Sequence, residues 1–386
     1  MTILHLTTFL QGGAGRVVVD LASRQRRQGH TVTVVASDTA SPGYRHYDDY
    51  ITELADAGVP VWLVDSLFHR EPAANLRAVA LVTRLGRTAP PDVMHTHAAV
   101  PSLVALLAAG HARRAVRIVQ TMHGWGLAKS AAQADCDVRV MNLVDRIVVP
   151  SAPAAADLRA LGVDPALLSV VPYGVGPDRA VLIGDDAALA SDLARRRRQG
   201  TFVLCCVGTI GARKNQALLV EALARLGPTP DVFTLFVGDG EGAALSADLT
   251  RAGLGTRTRV VGYTPAARAF ARAADALVLP SMSEGQPLAV LEAFADRTLV
   301  VASDIPALTA LVRDGVTGLL HRSGDARSLA KAIARATRLP PLDRARLVAR
   351  AELLYVDAFT TEAMHQHYMD AYQAVARGPV GLRRAG

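Results

Sequence analysis

Short apolar runs separated by amphipathic stretches fill this chain from end to end. In the first half, Ile3–Thr8, Thr31–Ala36, Val59–Val64, Asp92–His97, Arg117–Met122 and Arg146–Pro150 read as strands. Helical runs lie between them, the clearest being Arg16–Gln28 and Pro101–Gly110. Near-continuous Val/Ile/Leu content, without strict alternation, is the mark of strands buried on both faces of a parallel sheet. The pattern restarts with the strands Phe202–Val207, Phe233–Val237, Arg259–Gly262, Ala276–Pro280 and Leu299–Ala302. Ala217–Arg225, Ala243–Ala252 and Leu288–Ala295 are the helices between them. Beyond Pro341 the tail is helical, clearest over Phe359–Ala376, and Arg377–Gly386 reads as frayed. An α/β protein of two doubly wound halves follows. They join near Tyr173–Gly200, where Pro172, Gly174, Gly176 and Pro177 give a hinge-like composition.

Composition changes this picture only at the edges. A length of 386 residues suits two cores, and 50% hydrophobic content can fill them without disulfides. Net charge is +7, but only three lysines occur (Lys129, Lys214, Lys331), and arginine is abundant alongside alanine. Such an arginine excess reads as compositional bias and says little about nucleic acid. The densest basic patch, Arg195–Arg198, reads as a solvated helix end. Cys136, Cys205 and Cys206 form no CxxC pair, and the last two sit in an apolar strand as small hydrophobes. No apolar segment reaches the roughly 18–20 residues of a membrane helix. A cytoplasmic protein is expected, with contact at the inner face of the membrane left open. Asp135-Cys-Asp137 has the bare spacing of a metal-binding DxD pair but reads as solvated helix surface, so no metal is expected.

The candidate chemistry lies in loops that follow strands. Two carboxylates, Glu284 and Glu292, flank the turn Gly285-Gln286-Pro287-Leu288, which leads from the strand ending at Pro280 into a helix. Backbone N–H groups at such a helix start make a ready anion site. The loop Gly208-Thr-Ile-Gly-Ala-Arg-Lys-Asn215 sets Arg213 and Lys214 at another loop–helix junction, where two cations can neutralise a diphosphate leaving group. Gly238-Asp-Gly240 reads mainly as a strand-to-helix turn. In the first half, the loop Gly12-Gly13-Ala-Gly15 leads into the helical run from Arg16 and permits close backbone approach to phosphate. His123 ends a strand. His95 and His97 end another, and His97 is a further candidate near an acceptor.

The Ser283-Glu284-Gly285…Glu292-Ala293 element, with Arg213-Lys214-Asn215, resembles family 4 glycosyltransferases, which have the GT-B fold. That resemblance implies two Rossmann-like parallel-sheet domains facing an interdomain cleft. Residues 1–175 would bind acceptor, 176–358 would bind the nucleotide-sugar donor, and the helix of 359–386 would pack back on the first domain. It implies a retaining hexosyl transfer from a UDP- or GDP-linked sugar to a hydroxyl of a glycan, lipid-linked glycan or small metabolite, without cofactor or metal. Glu292 would hold the ribose, Glu284 the sugar, and the N–H groups of Gln286 and Leu288 the phosphates. Gly12, Gly13, Gly208 and Thr209 would line the donor. His123 would face its sugar, and Arg213 would substitute for the arginine that relatives often carry where Thr209 stands. Two alternatives remain at this point. Gly13, Gly15 and Asp38 imitate an NAD(P)-dependent oxidoreductase fingerprint, and a non-catalytic nucleotide-sugar-binding subunit would share the same motifs.

Overall fold

The structure is a computed structural model that describes residues 1–38, 43–65, 69–112, 114–125, 129–178 and 180–378. It divides into two compact units, Met1–Tyr173 with Thr361–Gly386, and Gly174–Thr360.

Unit 1 is wound from β1 (Thr2–Leu6), α1 (Gly12–Arg27), β2 (Thr31–Ser37), α2 (Asp48–Asp56), β3 (Val61–Val64), α3 (Pro72–Thr88) and β4 (Val93–Thr96). It continues with α4 (Ala99–Ala109), β5 (Arg117–Thr121), α5 (Ala131–Met141), β6 (Arg146–Val149), α6 (Ala152–Ala160) and β7 (Leu168–Val170). Among the described residues its sheet is seven-stranded and parallel, ordered β3-β2-β1-β4-β5-β6-β7. The central strands β4 and β5 are buried along their whole length, while the edge strands β3 and β7 are not. That gradient is why the sequence runs are continuous in the middle of the sheet. Leu4, Leu6, Met94, Val104, Ile118 and Ile147 are among the residues of its core.

Unit 2 repeats the scheme with α7 (Gly184–Arg198), β8 (Phe202–Val207), α8 (Gln216–Leu226), β9 (Val232–Val237), α9 (Gly242–Arg251), β10 (Thr258–Val261) and α10 (Ala267–Ala273). There follow β11 (Ala276–Leu279), α11 (Leu288–Ala295), β12 (Leu299–Ser303), α12 (Pro306–Thr309), β13 (Leu319–His321), α13 (Ala326–Thr337) and α14 (Pro341–Ala358). Its described sheet has six parallel strands, ordered β10-β9-β8-β11-β12-β13. The chain then returns to unit 1 as α15 (Thr361–Arg377), which buries Tyr368 and Tyr372 completely.

Strand order reverses between β1 and β4 in unit 1 and between β8 and β11 in unit 2. Doubly wound sheets bind ligands outside the strand carboxyl ends at such reversals. One sequence expectation shifts and another falls outside the described residues. Gly12, Gly13 and Gly15 form the first turn of α1 and not a preceding loop. A β-carbon on Gly15 would stand 2.7 Å from the Leu10 carbonyl carbon, so close packing of helix on loop demands glycine there. The frayed end expected from Arg377 onward lies outside the described residues after Gly378.

Candidate functional site

The loops after β8 and β11 flank the reversal of the second sheet, and the candidate donor residues sit in them. Lys214 Nζ lies 2.6 Å from Glu284 Oε1, and Arg213 Nη1 lies 3.3 Å from Glu284 Oε2. Ser281 Oγ donates to Glu284 Oε1 at 2.7 Å, and Ser303 Oγ, at the end of β12, holds the Ser281 carbonyl at 2.6 Å. The carboxylate is almost wholly buried, its side chain 4% exposed. Lys214 is 15% exposed and Arg213 51%, so the guanidinium alone reaches well into solvent. The two loops are also joined through backbone, Met282 N–H donating to the Arg213 carbonyl at 2.9 Å.

Local conformation explains how Lys214 is aimed. Asn215 takes a left-handed conformation (φ 54°), which ends the loop abruptly and starts α8. Gly208 lies at φ 140°, and a β-carbon there would stand 3.0 Å from Lys214 Cε. Gly238 permits a still closer approach, since its β-carbon would stand 2.1 Å from the Gly208 carbonyl oxygen. The Gly-Asp-Gly turn thus braces the cation loop. Thr209 is exposed, and its carbonyl accepts from Gln216 Nε2 at 3.2 Å. Beneath, at the end of β8, burial pushes the Cys206 thiol up to about 12; Lys214 opposes this and Glu284 adds to it, leaving an inert thiol.

Gly285, buried Gln286 and Pro287 carry the chain into α11, whose first residue is Leu288. Glu292 lies one turn into this helix, partly exposed. Asp296 follows one turn later and grips Arg268 of α10 through two hydrogen bonds of 2.7 and 2.9 Å. Burial opposes the charge of Arg268, but Asp296, with Glu292 and Asp178 adding to its field, raises the guanidinium pKa overall. The structure therefore brings Arg213, Lys214 and Glu284 together, and places Glu292 on the helix that follows. Glu284 was expected to contact a sugar, yet both its oxygens face cations.

In unit 1, His97 directly follows β4 and His123 lies two residues beyond the end of β5. His97 is buried, and His123, partly exposed, sets Nε2 3.0 Å from His97 Nδ1. Burial lowers the His123 pKa to about 4, and that of His97 well below the usual value, with His95, His123 and His5 adding to the latter. Tyr173 OH stands 2.6 Å from His123 Nδ1. Gly12 accepts a hydrogen bond from Tyr50 OH at 3.2 Å, and Gly13 lies exposed beside it in α1. Asp38 is exposed beyond β2.

Sequence reasoning missed several of these groups. Ser281, Ser303, Arg268 and Tyr173 carried no motif. One signal was available: His5 and His95 stand at matching places in two apolar runs, and the parallel register sets them side by side. The reading of Asp135 and Asp137 as one solvated surface needs correction. Asp135 is exposed and pairs with Arg139. Asp137, two positions on and so on another helix face, is buried between Arg70 at 2.7 Å and Lys129 at 2.8 Å. Among the described residues, His5, His95 and His97 form the one cluster close enough to hold a metal ion. No described helix is long and apolar enough to cross a membrane.

Comparison with known proteins sharpens the assignment. The family model for Glycosyltransferase Family 4 matches residues 11–179, and that for Glycosyl transferases group 1 matches residues 201–338. A D-inositol 3-phosphate glycosyltransferase of Kribbella flavida is 33% identical over 344 residues, covering 80% of this chain and 78% of that protein. One from a Mycobacterium species is 34% identical over 257 residues, 61% of this chain; the match spans only 57% of that relative's length. Among solved structures, Anabaena HepE in complex with UDP-glucose superposes with a TM-score of 0.80 at 22% identity, covering 97% of this chain and all (100%) of that one. A glycosyltransferase from Rickettsia africae gives 0.80 at 17% identity, covering 98% and 99%. These structural likenesses show the GT-B fold. Family models across both units and the Kribbella relative together show that the chain belongs to glycosyltransferase family 4.

Proposed function

We propose that this protein transfers a hexosyl group from a nucleoside-diphosphate sugar to an acceptor hydroxyl, with retention at the anomeric carbon. The observation that carries the reading is the pairing of Arg213 and Lys214 with Glu284 across the reversal of the second sheet, next to the start of α11. A buried carboxylate holds two cations in fixed positions before a diphosphate arrives. Preorganised charge of this kind needs no reorganisation as the leaving group develops its own. In the reaction, the bond from the anomeric carbon to the β-phosphate oxygen breaks and the acceptor oxygen bonds to the same face. The acceptor proton passes to the departing phosphate. Arg213, Lys214 and the first N–H groups of α11 take up the leaving charge, and Glu292 holds the ribose hydroxyls. His123 is the residue assigned to the donor sugar. The reading calls for no metal and no cofactor.

The relatives' name makes a phosphorylated polyol one acceptor to include among glycans and lipid-linked glycans, and HepE's UDP-glucose complex makes that sugar the first donor to try. The deciding experiment incubates the purified chain with UDP- and GDP-sugars and this acceptor panel, and follows product by mass spectrometry. Transfer from at least one donor, abolished by Lys214→Ala, is expected. NAD(P)H turnover with no sugar transfer would instead support the oxidoreductase alternative.

A further inference from the structure

Behind His123, unit 1 holds buried polar side chains joined end to end. From Tyr173 OH the run passes to His123 Nδ1 (2.6 Å), and from His123 Nε2 to His97 Nδ1 (3.0 Å). It continues from His97 Nε2 to His5 Nδ1 (3.1 Å), and from His5 Nε2 to Gln25 Oε1 (2.8 Å). Gln25 Nε2 lies 3.4 Å from Tyr372 OH, which stands 2.6 Å from His95 Nδ1. His95 Nε2 reaches Thr121 Oγ1 (2.8 Å), which reaches Tyr368 OH (3.0 Å).

The run has a direction. Burial lowers the pKa of all four imidazoles, so each is neutral at physiological pH and carries one N–H and one lone pair. An amide oxygen only accepts, so His5 carries its proton on Nε2. Its Nδ1 is then a lone pair, filled by His97 Nε2–H. By the same step His97 Nδ1 accepts from His123 Nε2–H. What remains on His123 is the Nδ1 lone pair, which accepts from the Tyr173 hydroxyl. Which ring nitrogen is protonated is set by the bond the other one makes, and here one amide sets it through three rings. The other branch agrees: Gln25 N–H donates to Tyr372, Tyr372 to His95 Nδ1, and His95 Nε2–H to Thr121. Each ring nitrogen in the run therefore has a partner, although His5, His95 and His97 lie close enough for a metal ion.

We propose that Gln25, His5 and His97 are positioning residues that fix the proton of His123 on Nε2, so that its Nδ1 accepts a hydrogen bond from a donor-sugar hydroxyl in the place of the Tyr173 hydroxyl. The inference rests on the glycosyl-transfer reading above. It makes His123 a hydrogen-bond acceptor toward substrate and not a proton donor.

Nitrogen-15 NMR of the full chain, labelled at histidine, reads the tautomers directly. His123 should show protonated Nε2 and bare Nδ1 in the wild-type protein; the reverse assignment overturns the proposal without any variant. Gln25→Met should mix the tautomers of His5, His97 and His123 and lower kcat by about tenfold, a modest version of a wrong-tautomer defect. Gln25→Glu, which keeps an acceptor for His5 Nε2–H, should restore most of both. Melting temperatures of the two variants check that they fold, and if Gln25→Met does not, the wild-type spectrum still decides. Unchanged spectrum and kcat in Gln25→Met overturn the proposal, as does a stoichiometric transition metal in the purified protein, which would take the His5 and His97 lone pairs. Absence of transfer by the wild type defeats the glycosyl-transfer reading instead, and leaves the tautomer assignment to be judged by the spectrum.

Discussion

The two sheet reversals of this molecule are built on the same plan and filled with opposite chemistry. At the reversal in unit 2, permanent cations from one loop meet a buried carboxylate from the next. At the reversal in unit 1, neutral imidazoles from β1, β4 and the end of β5 pass hydrogen bonds among themselves. A charged triad holds strength in reserve for an anion. A neutral network holds direction, because each ring has only one proton to place. The difference teaches that a common topology fixes where a site lies, while side chains decide what it recognises.

The comparison breaks most visibly at Lys214. Lys214→Ala should lower transfer by about 10²- to 10³-fold, the usual cost of losing one preorganised group facing developing charge. It should also destabilise unit 2, because Glu284 would keep its burial with only the half-exposed Arg213 opposite. Lys214→Met combined with Glu284→Gln should recover stability in a urea titration but not activity. Near-wild-type turnover of Lys214→Ala would end the case for this site.

Acid separates the two regions. The folded pKa values of His5 and His123, about 4, lie below the unfolded value of 6.5, so between these pH values the unfolded chain binds more protons. Stability from these groups is full above pH 6.5 and is lost as pH falls toward 4, at about 1.4 kcal/mol per pH unit for each fully buried histidine such as His5. Both tryptophans, Trp62 and Trp125, belong to unit 1. Their fluorescence in denaturant titrations at pH 7, 6 and 5 should therefore show a falling midpoint. A midpoint independent of pH would refute the neutral network.

Smaller effects sharpen the picture. Ser281→Ala removes one neutral donor from Glu284 and should cost about 1 kcal/mol, read as a slight drop in melting temperature and a few-fold loss of turnover. EDTA should leave the transfer rate unchanged, since fixed side chains neutralise the leaving group. A rate that falls with EDTA and returns with a divalent cation would place a metal in the reaction.

Much of this architecture was readable in the chain itself. Strands such as Phe202–Val207 and Ala276–Leu279 stand out because burial on both faces leaves no polar alternation to obscure them. The Arg213-Lys214 and Glu284 elements were legible as local motifs, but their mutual pairing was not, being set by a register between loops seventy residues apart (Lys214 to Glu284). The start of α1 was misplaced because glycine argues locally for a loop, whereas contact with Leu10 overrides that preference. The histidine network was least legible. Its closing bond joins Gln25 to Tyr372 across 347 positions, and no spacing within a motif can report such a partner.

That long-range closure sets an order on biosynthesis. Because α15 supplies Tyr368 and Tyr372 to unit 1, a ribosome must synthesise all of unit 2 and then α15 before unit 1 can complete its interior. Until then His95 lacks its Tyr372 partner and Thr121 its Tyr368 partner, while unit 2, uninterrupted from Gly174 to Thr360, already has every residue it requires. In the nascent protein unit 2 therefore has its full set of residues before unit 1 does.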